Sequence, residues 1–313
     1  MTLTLKDFQD AKERIKKHVI QTPMLRLHAL DDILGTNVFV KLENLQVTNS
    51  FKMRGAMNKI LSLSEAELKR GIICSSSGNH GQAVAYAAKQ LGIPAVVVTP
   101  RTGSKFKRDK IEENGAEIVL CDVDDRFKIT KELSERRGMT IVSPFDDEMI
   151  MAGQGTIALE ILDTGVDLDY LLIPTSGGGM LGGIATAISE SDSEIKIYGA
   201  EPSNLPRQSK SLKEGKRIKV ESKPTIADAL VVNQPGEITF PYIQKYVEDV
   251  LTVSDEKMIE AQKLLLEKGK ILAEVSSCIG IGAILEGKFK PNKDEAVCFL
   301  ISGGNLSLDQ LNL

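Results

Sequence analysis

Three loops in this 313-residue chain carry the side chains and backbone groups most able to do chemistry. The first, Ser176-Gly177-Gly178-Gly179-Met180-Leu181-Gly182-Gly183, follows the apolar run YLLIPT and opens a helical pattern around IATAIS. Successive glycines let several backbone N–H groups turn toward one anion, and a helix N-terminus adds a favourable dipole, so the loop can cradle a phosphate. Two other readings stay open at this point. The glycines could serve a tight strand-to-helix turn, or Gly177, Gly179 and Gly182 could be the GxGxxG of a dinucleotide site, with Glu201 closing a strand about 20 residues on. The second loop is Ser75-Ser76-Ser77-Gly78-Asn79-His80-Gly81, ahead of the helix QAVAYAAKQLG. Small hydroxyls and free amides at a helix start suit a substrate carboxylate, although Ser and Asn there also serve as plain helix caps. His80 has no second His or Cys close in sequence, which argues against a metal. The third loop is Asn49-Ser50-Phe51-Lys52-Met53-Arg54-Gly55, before a helical pattern from about residue 56. A lysine seated at a helix N-terminus has its ammonium form disfavoured by the dipole, which helps supply the neutral amine that Schiff-base chemistry needs.

These loops need strands to hold them. From 71 to about 143, β-branched runs (GIICSS, AVVVT, EIVLC, TIVS) alternate with helical stretches, including SKFKRDKIEENG and a charged helix near 125–137. That alternation implies right-handed crossovers and a parallel sheet covered on both faces. A second series surrounds it: VFVKLE (38–43), YLLIPT (170–175), EIKIYGAE (194–201), VEDVLTVS (247–254) and DEAVCFLIS (294–302). The expected architecture is α/β, a smaller domain inserted into a larger one whose strands come from both ends of the chain, with ligands at the carboxyl ends of the strands. The stretch 202–225, rich in Lys, Ser and Pro, reads as a surface excursion.

Composition narrows the function. A net charge of −4 with 4% aromatic residues and no basic stripe gives no footprint for nucleic acid. No apolar run is long enough for a membrane span, and the first residues lack the apolar core of a signal peptide. Cys74, Cys121, Cys278 and Cys298 are far apart and fit neither a zinc site nor a redox pair, so a reducing cytoplasm and a small-molecule partner fit best.

Taken together, the loops resemble the fold type II enzymes that use pyridoxal 5′-phosphate (PLP), in particular the group of threonine dehydratase (threonine ammonia-lyase) and serine racemase. The resemblance rests on TPMLRL (22–27), NSFKMRGA (49–56), SSGNHGQAVAYAA (76–88), AGQGTIALEIL (152–162), SGGGMLGGIA (176–185), TIADA (225–229), PGEIT (235–239) and ISGGN (301–305), in the family order. It displaces the minor reading as an NAD(P)-binding oxidoreductase, which leaves Lys52, Asn79 and Ser302 without roles. It implies two open, twisted, mainly parallel sheets with helices on both faces. Residues 1–52 and 148–313 would form the large cofactor-binding domain, and 53–147 a small mobile substrate domain.

The resemblance also implies roles. Lys52 would hold PLP as a Schiff base and remove the substrate α-proton, and Phe51 would pack on the cofactor ring. Asn79 would bind the phenolic oxygen; the amides of Gly177, Gly178, Gly179 and Met180 would bind the phosphate; Glu274 lies in the segment beside the cofactor. Ser302 would face the pyridine nitrogen, where a hydroxyl leaves the ring largely neutral and favours elimination over transamination. Ser76, Ser77, Asn79 and His80 would lie near the substrate carboxylate, and Ser77 matches the serine that protonates the opposite face in racemases. The implied activity is conversion of L-threonine or L-serine to 2-oxobutyrate or pyruvate plus ammonia; serine racemase or another hydroxy-amino-acid lyase, such as a hydroxyaspartate dehydratase, is the alternative. A homodimer or homotetramer is implied as well.

Three departures from the family pattern bear on this. Racemases of the group are similar in carrying a divalent-cation site of a Glu, a carbonyl four residues on and an acid six residues on; here these are Glu201, Leu205 and Arg207, and a cation in the last place should repel the metal. Glu221 or Asp228 is the alternative source of a ligand. Ser176, Ala229 and the stretch Ala273-Glu274-Val275-Ser276-Ser277-Cys278 replace glycine or proline of the family, and Cys278 is expected near the cofactor. The longer threonine dehydratases carry a C-terminal regulatory domain, so feedback by isoleucine through such a domain is not expected here.

Overall fold

The computed structural model describes residues 2–76, 78–102, 105–307, 310 and 311. Its strands are β1 (Met24–Arg26), β2 (Asn37–Leu42), β3 (Ile72–Ser75), β4 (Ala95–Pro100), β5 (Glu117–Cys121), β6 (Thr140–Ile141), β7 (Tyr170–Pro174), β8 (Lys196–Pro202), β9 (Asp249–Val253) and β10 (Ala296–Ile301). Its helices are α1 (Leu5–Ile15), α2 (His28–Leu34), α3 (Lys52–Leu61), α4 (Glu65–Arg70), α5 (Asn79–Leu91), α6 (Lys105–Glu113), α7 (Arg126–Arg137), α8 (Glu148–Leu162), α9 (Gly179–Ser189), α10 (Arg207–Glu214), α11 (Thr239–Tyr246), α12 (Asp255–Glu267) and α13 (Ile279–Leu285).

The strands form two sheets, one in the order β1-β2-β10-β7-β8-β9 and one in the order β5-β4-β3-β6. All pairings are parallel except β1 with β2. Pattern explains the placement: AVCFLI of β10 and AVVVTP of β4 are apolar along their length and buried at every residue, as interior parallel strands must be. Edge strands look different. β6 has two residues, and in β5 only the last residue of EIVLC is buried. The antiparallel β1, inside TPMLRL, has no strand signal of its own and owes its state to pairing with β2.

The segment 202–225 corrects the surface reading. It contains α10, in which Arg207, Gln208 and Ser211 are buried, because a counter-charge waits inside at Glu201. Among the described residues no helix is long and apolar enough to cross a membrane, and all four cysteines are buried and free.

The start of α3 is fixed by a buried charge cluster. Arg54 bonds Glu43 at 2.8 Å and Glu160 at 2.6 Å, and Lys41 bonds Glu160 at 2.6 Å, all within the core. Two cations and two anions cancel, so no uncompensated charge is buried. Alongside, α3 crosses α8 at Gly153, where a Cβ would lie 2.6 Å from the Gly55 Cα; only glycine admits that approach. Lys52, first residue of α3, inherits this rigidity.

Candidate active site

The carboxyl ends of β3, β6, β7 and β10 open onto one cavity, and the loops singled out from sequence meet there. Phe51 and Lys52 line it from the start of α3, Ser76, Asn79 and His80 from the start of α5, Gly177 to Met180 from the start of α9, and Glu274 and Ser302 from the far wall. Ser77 lies outside the described residues.

Lys52 Nζ donates to the Pro144 carbonyl at 2.5 Å and stands over the Phe51 ring, 4.9 Å from its centroid. Burial drives the ammonium's pKa down to about 8, against the pull of the Glu274 charge. The neutral amine is therefore accessible near physiological pH. His80 is buried with Nε2 2.9 Å from the Val142 carbonyl, and burial, with the Lys52 charge second, lowers its pKa to about 3. It is a neutral imidazole that ties the start of α5 to the segment carrying Pro144.

Asn79 is held from both ends. Its Oδ1 accepts from Asn305 Nδ2 at 3.0 Å and its Nδ2 donates to Glu274 Oε1 at 2.7 Å, so the amide's orientation is set and one N–H is left over. Burial raises Glu274 to about 7, with Lys107 opposing the rise, and its Oε2 has no hydrogen-bond partner. Ser76 acts in its capping role as well as lining the cavity: its Oγ accepts from the N–H of Gly78 at 3.1 Å and of Gly81 at 2.9 Å.

The phosphate-type loop sits where strand β7 turns into α9. Gly178 has φ +103, and a Cβ there would lie 2.5 Å from Ile243 Cδ1, so both conformation and space demand glycine. The main-chain N–H groups of Gly177, Gly178, Gly179 and Met180 have no acceptor among the described residues. In the same cavity, just past β10, Ser302 Oγ lies 2.9 Å from Ser277 Oγ.

Glu201 settles the dinucleotide reading. It is fully buried and accepts from the N–H groups of Gln208 and Ser209 at 2.9 and 2.8 Å, which leaves it no reach toward a ribose. Arg207 stands 3.5 Å from it and donates to the carbonyls of Leu205 at 2.8 Å and Thr175 at 2.6 Å. The guanidinium thus engages both Glu201 and Leu205. Asp228 pairs with Lys107 instead, and Glu221 is exposed. Cys278 is a second correction: it is fully buried in the core, with Sγ 3.7 Å from the Glu274 carbonyl, and does not line the cavity, because the turn Val275–Cys278 aims it inward.

Sequence reading missed Lys107, which lies in a run of charges that looks solvated. In the fold α6 carries it over Gly78 to Asp228, at 2.6 Å, with Glu274 at 3.9 Å. Burial works to lower its pKa, but Glu274 and Asp228 outweigh it and leave the ammonium strengthened. Arg126 and Phe127, at the start of α7, also face the cavity. Asn305 was within a quoted motif, yet its bond to Asn79 spans 226 residues and has no local signal.

Known proteins resemble this chain over nearly its whole length. The family model for pyridoxal-phosphate dependent enzymes matches residues 15–303. An L-threonine ammonia-lyase of Thermotoga maritima is 38% identical over 312 residues, covering 99% of this chain and 77% of the relative. The serine racemase of Dictyostelium discoideum is 39% identical over 316 residues, covering 99% and 97%. The crystal structure of a T.th. threonine deaminase superposes with a TM-score of 0.92 at 36% identity, over 98% of this chain and 99% of that one. A shared fold, near-complete coverage and a lysine-bearing cavity of this make place the chain among the pyridoxal-phosphate dependent enzymes, in the group that holds threonine ammonia-lyase and serine racemase.

Proposed function

We propose that the chain is a PLP-dependent ammonia-lyase acting on a small β-hydroxy amino acid, L-threonine or L-serine. The observation that carries this is one cavity holding an amine poised near neutrality, Lys52, opposite four unpaired main-chain N–H groups at a helix start. The donors suit a phosphate dianion, and Asn79, Glu274 and Ser302 offer polar groups around an aromatic ring, so the residues present fit the cofactor. When bound, PLP supplies an aldehyde for amines and a ring system that takes up electron density from the substrate α-carbon.

The chain's own groups do the rest. The N–H groups of Gly177 to Met180 would hold the phosphate, Phe51 would pack against the ring, and the spare N–H of Asn79 would serve the phenolic oxygen. The loop from Ser76 to His80 receives the substrate carboxylate at the start of α5, where the helix dipole and free N–H groups favour an anion. Lys52 Nζ, once free and neutral, accepts the α-proton and returns a proton to the departing β-hydroxyl. Lys107 of α6 and Asp228 of the turn Asp228–Leu230 close the mouth between them. Residues 53–147 move as a small substrate domain against 1–52 and 148–313, opening and shutting this pair.

A second reading, serine racemase, draws on the Dictyostelium relative and would use Ser77 on the opposite face. Incubation of the holoenzyme with L-threonine and L-serine, with assay of 2-oxo acids and D-serine, separates the two. Oxo acid release supports the lyase; D-serine without oxo acid overturns it. We further propose a cytoplasmic protein that assembles as a homodimer or homotetramer, and light scattering of the purified holoenzyme tests the assembly.

A further inference from the structure

Ser277 is unused by the scheme above, yet it sits against Ser302 with both side chains buried. Its Oγ accepts from the Gly303 N–H at 2.8 Å and lies 2.9 Å from both Ser302 Oγ and the Gly303 carbonyl. A hydroxyl has one proton, so only one of the last two contacts can be its donation. If Ser277 donates to the Gly303 carbonyl, then Ser302 must donate to Ser277, and Ser302 offers only lone pairs to a ligand. If Ser277 donates to Ser302, the Ser302 proton is free to point into the cavity. The Gly303 carbonyl decides between them: it already accepts from the Glu274 N–H at 3.0 Å, so it loses little without Ser277. The second arrangement also runs all donors one way, from Gly303 N–H through Ser277 to Ser302, and each link polarises the next.

We propose that Ser277 is a positioning residue that sets the direction of the Ser302 proton, so that Ser302 donates to the cofactor's ring nitrogen and holds it unprotonated. This rests on the reading that Ser302 faces that nitrogen. The hydroxyl at 277 belongs to the segment in which this chain departs from the family's glycine- or proline-containing pattern. A ring nitrogen held neutral keeps the electron sink weak and favours prompt loss of the β-substituent.

The test is ¹⁵N NMR of holoenzyme reconstituted with PLP labelled at the ring nitrogen. The expected wild-type resonance lies between those of a free unprotonated pyridine and a pyridinium, on the neutral, hydrogen-bonded side. Ser277→Ala moves it toward the free unprotonated value, and Ser302→Ala moves it at least as far. Ser277→Gly removes the same hydroxyl and serves where the alanine methyl disturbs packing. A wild-type resonance at the pyridinium position overturns the proposal, since it signals the opposite donor direction. So does a resonance that ignores both Ser277 variants while Ser302→Ala shifts it. If Ser302→Ala also leaves it in place, the failure lies in the reading of Ser302 itself, and the proposal falls with it.

Discussion

Lys52 must be charged enough to be soluble in its surroundings and neutral enough to react, and burial sets that balance. With its pKa lowered to about 8, the amine deprotonates well below an ordinary lysine's range. Capture of PLP by the apoprotein, followed by growth of its visible band in stopped flow, is expected to accelerate with pH and reach half its limit near pH 8; a midpoint above pH 10 would show Nζ bathed in water. Lys52→Ala abolishes that band. His80 makes a separate prediction about stability. Its pKa is about 3 when folded and near 6.5 when unfolded, so between these the unfolded chain binds more protons. Stability from this group is fully present above pH 6.5 and is lost as pH falls toward 3. Thermal melts from pH 4 to 7 are expected to slope less steeply in His80→Gln than in the parent, and identical slopes would refute the assignment.

At the scale of elements, the helix starts of α3, α5 and α9 line the cavity. The turn from β7 into α9 depends on Gly178, whose φ of +103 no side chain adopts freely. Gly178→Ala is expected to cost ~1–2 kcal/mol in backbone strain and to weaken PLP binding about tenfold, read by thermal melts and cofactor titration. Helix α6 contributes through Lys107, which joins the four-stranded sheet's helices to the turn at Asp228. The Asp228 side chain is 44% exposed, so the pair is part-screened and Lys107→Met should lower stability by only about 1 kcal/mol. Its effect on chemistry is larger. Lys107 opposes the rise of Glu274, already at about 7, so its loss keeps Glu274 protonated to higher pH. The acidic limb of the kcat/KM profile in Lys107→Met is expected to move upward in pH; an unmoved limb would mean that Glu274 does not govern it.

At the scale of the whole molecule, two sheets built from interleaved stretches of chain place their strand ends around one cavity, and a few buried charges lock the arrangement. Arg207 is the most specific of these, since its guanidinium engages Glu201 and Leu205. Exhaustive dialysis against EDTA is expected to leave melting temperature and turnover unchanged, and activity that returns only with Mg²⁺ or Ca²⁺ would show a cation site after all. Arg207→Met strands Glu201 without a counter-charge and should cost ~3–5 kcal/mol. Sequence alone determined the strands such as AVVVTP and AVCFLI, the helix starts, and the lysine, asparagine and glycines at the strand ends, because apolar runs, glycine and capping residues act through local conformation. Only the tertiary structure decided that 202–225 turns inward, that Cys278 faces the core, and that Lys107, Asn305 and Ser277 stand over or behind the site. Lys107 and Asn305 depend on partners 121 and 226 residues away and Ser277 on one 25 away, and even where the partner is near in sequence, as Glu201 is to Arg207, a charge or amide carries no mark of what the fold will set beside it.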